Sequence, residues 1–247
     1  MDTILSVQGV SKSFGGVHAV RQVSIEVAAG QVLALVGDNG AGKSTLIKMI
    51  SGVHHADEGR VVFRGQDITA ATAREVRELG IETIYQDLAL ADNLDVSANI
   101  FLGREVVGKR LGLFPYLNRK HMYAEAREAL SRLGIQVADV ATRVRHLSGG
   151  QRQTIAISRA VYWQARLIIM DEPTAALGVP EQRELKDLIA RLRDQGVAVI
   201  FISHNLGDIF DVADRIAVLE RGRLAGERAP AETDADEIVK LMMGAEK

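Results

Sequence analysis

The chain has 247 residues, 47% hydrophobic, 25% charged and only 4% aromatic, a make-up expected of a soluble globular protein with one large domain or a domain plus a lobe. Its 30 basic and 32 acidic residues leave a net charge of -2, so neither nucleic acid nor an anionic bilayer has an electrostatic reason to bind it, and scarce aromatics leave no base-stacking platform. Cysteine is absent, which excludes disulfides, thiolate metal sites and a cysteine nucleophile and fits a reducing compartment.

In chain order, the start shows no basic region ahead of a long apolar run, so no signal peptide is read there. Apolar runs at Ile4–Val10 and Val23–Val27, with a turn at Gly15 and Gly16, predict a small antiparallel β layer. A strand at Val32–Val36, a glycine-rich loop and a helix over Lys43–Ser51 come next, then a strand at Val61–Phe63. From about Asn93 to Tyr162 the pattern is mostly helical, with Lys120–Leu133 and Gly150–Tyr162 the clearest segments. The segment is read as a helical lobe (about 93–162) inserted into a core of 1–92 and 163–247, all within a single domain.

Beyond the lobe, Leu167–Met170, Val197–Ile202 and Ile216–Leu219 predict strands. A helix over Glu181–Gln195 carries Leu185, Leu188, Ile189 and Leu192 on one face and ends at Gly196. The apolar windows fall far short of the ~20 residues that span a bilayer. Several are too continuous for a sheet with one wet face, and they alternate with helices. The fold class is therefore α/β with a mainly parallel sheet, a small antiparallel layer and an inserted α-helical lobe.

Three motifs carry chemistry. Gly37-Asp38-Asn39-Gly40-Ala41-Gly42-Lys43-Ser44, followed by Thr45, matches the phosphate-loop pattern between a strand and a helix. Its glycines let successive N–H groups turn inward toward phosphate oxygens, and the helix N-terminus adds a positive dipole. Lys43 would neutralise the β- and γ-phosphates, and the Ser44 hydroxyl would reach Mg²⁺. Strand Leu167–Met170 ends in Asp171-Glu172-Pro173. The first carboxylate suits a Mg²⁺ contact, and the second suits orienting or deprotonating an attacking water. Leu147-Ser148-Gly149-Gly150-Gln151 opens a helix, with Ser148 a natural cap.

The order of these motifs, with His204 at the end of a further strand, resembles the ATP-binding cassette family over nearly the whole chain. That resemblance implies a fold of the P-loop NTPase type and an ATPase using ATP and Mg²⁺. It also implies a pair of subunits in which Ser148, Gly149, Gly150 and Gln151 of one face the γ-phosphate held by the other. Gln86 matches the glutamine that senses Mg²⁺ and the attacking water, and His204 matches the switch histidine. Phe14 matches the aromatic that stacks on adenine, the alternative being core packing. Partners implied are an identical second ATPase subunit, an integral-membrane permease and an extracytoplasmic sugar-binding protein, placing the chain on the cytoplasmic face of the membrane.

Stretches at 85–90, 99–105 and 171–182 are similar to bacterial monosaccharide importer cassettes for ribose, xylose, galactose or fructose. The single cassette is most like the fructose type. The alternatives are a soluble non-transport cassette ATPase and a low-turnover regulatory subunit. Arg104–Lys120 reads as a loop packed on the lobe, or as an edge of the groove that receives the permease. Cassettes typically carry an aspartate where this chain has Gly178. The glycine is expected either to send the loop along another path and weaken communication between two ATP sites, or to be a simple turn residue with Glu181 supplying nothing in its place.

Overall fold

The computed structural model describes residues 2–110, 114–135, 139–175 and 177–244. In chain order they form β1 (Thr3–Phe14), β2 (Val17–Ala28), β3 (Val32–Val36), α1 (Lys43–Ile50), β4 (Glu58–Phe63), β5 (Gln66–Asp67), α2 (Ala73–Glu78) and β6 (Ile81–Ile84). The middle holds α3 (Val96–Ile100), β7 (Val107–Arg110), β8 (Phe114–Leu117), α4 (Arg119–Arg132) and α5 (Gly149–Tyr162). The remainder is β9 (Leu167–Asp171), α6 (Val179–Asp194), β10 (Ala198–Ile202), α7 (Leu206–Val212), β11 (Arg215–Glu220), β12 (Arg223–Arg228) and α8 (Ala235–Met242).

Two compact units emerge. The first comprises Met1–Gln86, Ala165–Ala175 and Ile189–Lys247, and the second Asp87–Gln164 and Ala176–Leu188. The first unit contains two sheets. One has the order β2-β1-β4-β5 and is antiparallel throughout. The other has the order β12-β11-β3-β10-β9-β6, parallel except for β12 at its edge. β3 and β10 are buried at every position, as their unbroken apolar sequences require of strands covered on both faces. Leu33, Leu35, Ile169 and Ile200 of the parallel sheet share one core with Leu5 and Val7 of the antiparallel sheet and Leu46 and Ile50 of α1.

Short elements have local causes. Thr72 and Glu75 exchange bonds in a capping box that starts α2, and Asp234 caps α8 by accepting from Glu237 N. Both lie outside the predicted segments, as do α7, β5, β6 and β12, whereas α3 falls within the stretch read as mostly helical. Strands β1 and β2 extend to the turn at Gly15, where φ is 58°. The long helices α4, α5 and α6 begin one or two residues before their predicted starts, and α1 begins at its own.

In the second unit α3, α4 and α5 pack together around Val96, Ile100, Phe101, Met122, Ala126, Leu130 and Ile155. Segment Arg104–Lys120 is not a loop there. β7 and β8 pair antiparallel, with Gly108 opposite Tyr116, and a Cβ on Gly108 would lie 2.8 Å from the Tyr116 ring. The bare glycine lets that aromatic lie across the neighbouring strand, which pattern reading of the segment missed. Residues 111–113, also within that segment, lie outside the described residues.

Phe101 is wholly buried and meets the Tyr162 and Trp163 rings edge-on, at centroid distances of 4.8 and 6.0 Å. Phe101→Ala is therefore expected to cost about 3–5 kcal/mol. Denaturant unfolding followed by Trp163 fluorescence checks this; a loss below about 1 kcal/mol would contradict the packing described.

Candidate functional site

In the first unit four chain reversals share one edge of the parallel sheet. β3 leads into the phosphate loop, β9 ends at Asp171, β10 ends just before His204, and β6 ends just before Gln86. Ile202 pairs with both Leu35 and Asp171, so the register sets the ends of β3, β10 and β9 level. Ligands of open α/β sheets gather at such carboxyl ends.

The loop itself is shaped by backbone approaches. Gly37, Gly40 and Gly42 have φ of 149°, 84° and 103°. A Cβ on Gly37 would lie within contact of Leu219 O, and one on Gly42 would lie 2.5 Å from Ala19 O, so neither position admits a side chain. Gly42 is the N-cap of α1 and brings no side-chain acceptor. The first-turn N–H groups of Lys43, Ser44 and Thr45 therefore have no acceptor within the helix. Ala41 N donates to Asp38 O, while Asp38, Asn39 and Gly40 are exposed. A run of main-chain bonds holds the loop from outside: Arg21 N donates to Gly222 O (2.7 Å), and Gly222 N donates to Ala41 O (3.0 Å).

Lys43 is 8% exposed, and its Nζ donates to Gly37 O at 2.5 Å and Asp38 O at 3.2 Å. Burial holds its pKa below the ordinary lysine value, opposed by the charges of Glu172, Asp171 and Asp38. Burial conversely raises the pKa of Asp171, with Lys43 and His204 pulling it back. Glu172 is likewise raised by burial and opposed by His204. The ammonium and the two carboxylates thus form one electrostatic unit, each charge tolerated because the others are near.

Glu172 has φ 53°, a left-handed conformation that costs a non-glycine residue strain. Its N–H donates to Ile202 O at 3.0 Å, extending the ladder beside β10 and fixing where the side chain begins. His204 Nε2 lies 3.2 Å from Glu172 Oε1, close enough to pair once the imidazole is protonated. It is not aligned as a hydrogen bond, and that oxygen has no other hydrogen-bond partner. Ser203 Oγ accepts from Asn205 N, and Asn205 caps α7 through Gly207 N, which anchors the turn carrying His204. Gln86 is exposed just past β6.

Phe14 is not core. It is 45% exposed, backed edge-on by the His54 ring at 5.2 Å and approached by Lys12 Nζ at 5.6 Å. That leaves ring surface free for a flat partner.

In the second unit Ser148 caps α5, accepting from Gln151 N, while Gln151 Oε1 accepts from Ser148 N. Both side chains are thus committed to the turn. Gly149 and Gly150 N–H groups remain without an intramolecular acceptor among the described bonds. The preceding turn is tied down by Val144 N to Leu94 O, Arg145 N to Asp92 O and the Arg152–Asp92 ion pair at 3.4 Å.

A phosphate loop, a strand-end acidic pair and a strand-end histidine on one sheet edge, with a glycine-opened helix in a second unit, define the ATP-binding cassette class of ATPase. Residues 20–175 match the ABC transporter family, and the chain belongs to that family. It is similar to the xylose/arabinose import ATP-binding protein of Sulfolobus acidocaldarius, with 48% identity over 98% of this chain and 94% of that protein. The fructose import ATP-binding protein of Rhizobium meliloti is 41% identical over 100% of this chain and 96% of its own. A ribose import ATP-binding protein of Streptomyces avermitilis is 44% identical over 98% of this chain, but the match spans only 45% of that longer protein. Among solved structures, the ADP conformation of an ATP-binding cassette of an ABC transporter superposes with a TM-score of 0.81 at 27% identity, covering 98% of this chain and 96% of that one. The chain is an ATPase that binds adenine nucleotide. Among the described residues no helix is long and apolar enough to cross a membrane.

Replacing Lys43 by alanine removes the ammonium while leaving a loop shaped by glycine backbone. Lys43→Ala is expected to abolish ATP turnover with an unchanged circular dichroism spectrum. Substantial residual hydrolysis would show that the loop is not the nucleotide site.

Proposed function

We propose that this chain powers an ABC importer for a monosaccharide, hydrolysing MgATP as one of two identical subunits docked on the cytoplasmic side of an integral-membrane permease. The observation that carries the chemistry is the convergence of Lys43, Asp171, Glu172 and His204 at level strand ends. The cargo reading rests on relatives named for xylose/arabinose, fructose and ribose import, two of them matched over nearly their whole length. An extracytoplasmic sugar-binding protein would deliver that cargo.

In this reading residues 37–45 wrap the triphosphate with main-chain N–H groups and the Lys43 ammonium. The Ser44 hydroxyl, the Asp171 carboxylate and the Gln86 amide oxygen are hard oxygen donors that suit Mg²⁺, and they would hold it. The cation supplies charge compensation for the phosphates when bound. Glu172 accepts the proton of the attacking water. Its raised pKa keeps it a stronger base than an ordinary glutamate, and its strained backbone fixes the approach. His204 stabilises that carboxylate and reaches the γ-phosphate. Phe14 stacks on adenine. Ser148, Gly149, Gly150 and Gln151 of the second copy close the site from the other side, the two free N–H groups meeting the γ-phosphate. The two units of the chain act as one cassette.

Glu172→Gln keeps the shape but cannot take the proton, so ATP is expected to bind, stay intact and drive dimerisation. Sedimentation at saturating MgATP checks this; a monomer there, with and without permease, would count against the composite site. Because Glu172 works deprotonated and burial raises its pKa, kcat is expected to fall as pH drops through a value above the ordinary glutamate range. His204→Ala removes the opposing positive charge and should move that acid limb further up. A limb at the ordinary glutamate value in both proteins would exclude Glu172 as the base.

A further inference from the structure

Two glycines of the second unit face one side chain. A Cβ on Gly150, the second residue of α5, would lie 2.6 Å from Glu181 Cγ and 2.9 Å from its Cβ. A Cβ on Gly178 would lie 2.6 Å from Glu181 Oε2. Neither glycine has a positive φ, so backbone conformation does not require glycine at either place. The expected departure of the loop at Gly178 therefore does not come from a left-handed backbone at that residue. What both positions provide is room, and Glu181 fills it.

The placement follows from helix geometry. Gly178 O accepts from Gln182 N at 2.9 Å, so Gly178 caps α6 and Glu181 is its third residue. An acidic side chain at that position folds back toward the cap. Gln182 Nε2 also donates to Leu177 O at 3.1 Å, holding the same turn. Glu181 consequently lays its aliphatic stem against the first turn of α5 and turns its carboxylate toward Gly178. Its Cδ is 3.8 Å from the Gly150 Cβ position, further than the stem. The carboxylate oxygen Oε2 sits on the Gly178 side, while the stem lies against the turn that carries the Gly149 and Gly150 N–H groups.

We propose that Glu181 is a positioning residue: it occupies the space of the side chain that Gly178 lacks and sets the orientation of the Ser148-Gly149-Gly150 turn toward the partner copy's nucleotide. The proposal rests on the composite-site reading above. It makes the residue after Val179-Pro180, and not position 178, the acidic group through which the start of α6 and the start of α5 move together.

The test uses the full chain, steady-state ATPase and thermal melts, with three variants. Glu181→Ala is expected to lower kcat about tenfold while KM for MgATP stays within about twofold, since the nucleotide's own loop is untouched. Gly178→Asp should also lower kcat, because its Cβ takes the place of the Glu181 carboxylate. The double variant restores a side chain to the vacated space and should turn over at least about threefold faster than Glu181→Ala alone. Native kcat in either single variant, or a double variant equal to the product of the two, would overturn the proposal. If Glu181→Ala melts far below the native chain, Gly178→Asp alone decides it. Glu172→Gln run in parallel separates the two readings. If it keeps native turnover, the catalytic assignment has failed; if it is inactive while both single variants are native, only the role of Glu181 has.

Discussion

An ammonium sunk beneath a loop of glycines can stay charged only if the surrounding backbone and carboxylates compensate it, and much of the first unit is organised to do so. Lys43 takes two carbonyls of its own loop and lies within electrostatic reach of Asp171 and Glu172. Those carboxylates arrive from β9, separated from the loop's own strand by β10. Their convergence is a matter of register. If β9 slipped by one residue against β10, the side chain that now ends the strand would face the other side of the sheet. The buried apolar residues of β3, β9 and β10 thus keep the charges in place, and the hydrophobic core determines the electrostatics of the site.

The motif-bearing parts of the candidate site were legible in the sequence because each is local. A phosphate loop is eight consecutive residues, the acidic pair is two, and the capping pair Ser148 and Gln151 lies within one helical turn. Fully buried strands such as Val32–Val36 were legible for a related reason, since burial on both faces leaves an uninterrupted apolar run. What escaped notice depends on neighbours distant in sequence or on brief signals. The β7–β8 hairpin needs Gly108 to meet Tyr116. Helix α2 announces itself only through Thr72 and Glu75, a spacing that a capping rule would have caught. The strain at Glu172 leaves no mark in the sequence beyond its position before Pro173.

Glu181 is the sharpest case. Read along the chain it is an ordinary acid near a helix start, and nothing links it to Gly150, thirty-one positions earlier. In space the same acid occupies the place where a Cβ on either glycine would fall. Substitution patterns at positions 150, 178 and 181 are therefore a single constraint seen from three places. The phosphate loop differs in kind: its glycines are required by carbonyls and by left-handed backbone, which no compensating side-chain change elsewhere could relieve.

The chain of main-chain bonds from Arg21 through Gly222 to Ala41 has a further consequence. The outer wall of the phosphate loop is peptide, met at Gly42 by Ala19 O. On this flank most of the wall changes only when the backbone moves, the exception being the Val20 side chain of β2, whose Cγ2 lies 3.4 Å from the Cβ position of Gly42. Apart from Val20, side-chain mutation on this flank leaves the shape of the glycine loop largely unchanged. Divergence between cassettes of this kind would collect instead where a side chain does the contacting, around the exposed ring of Phe14.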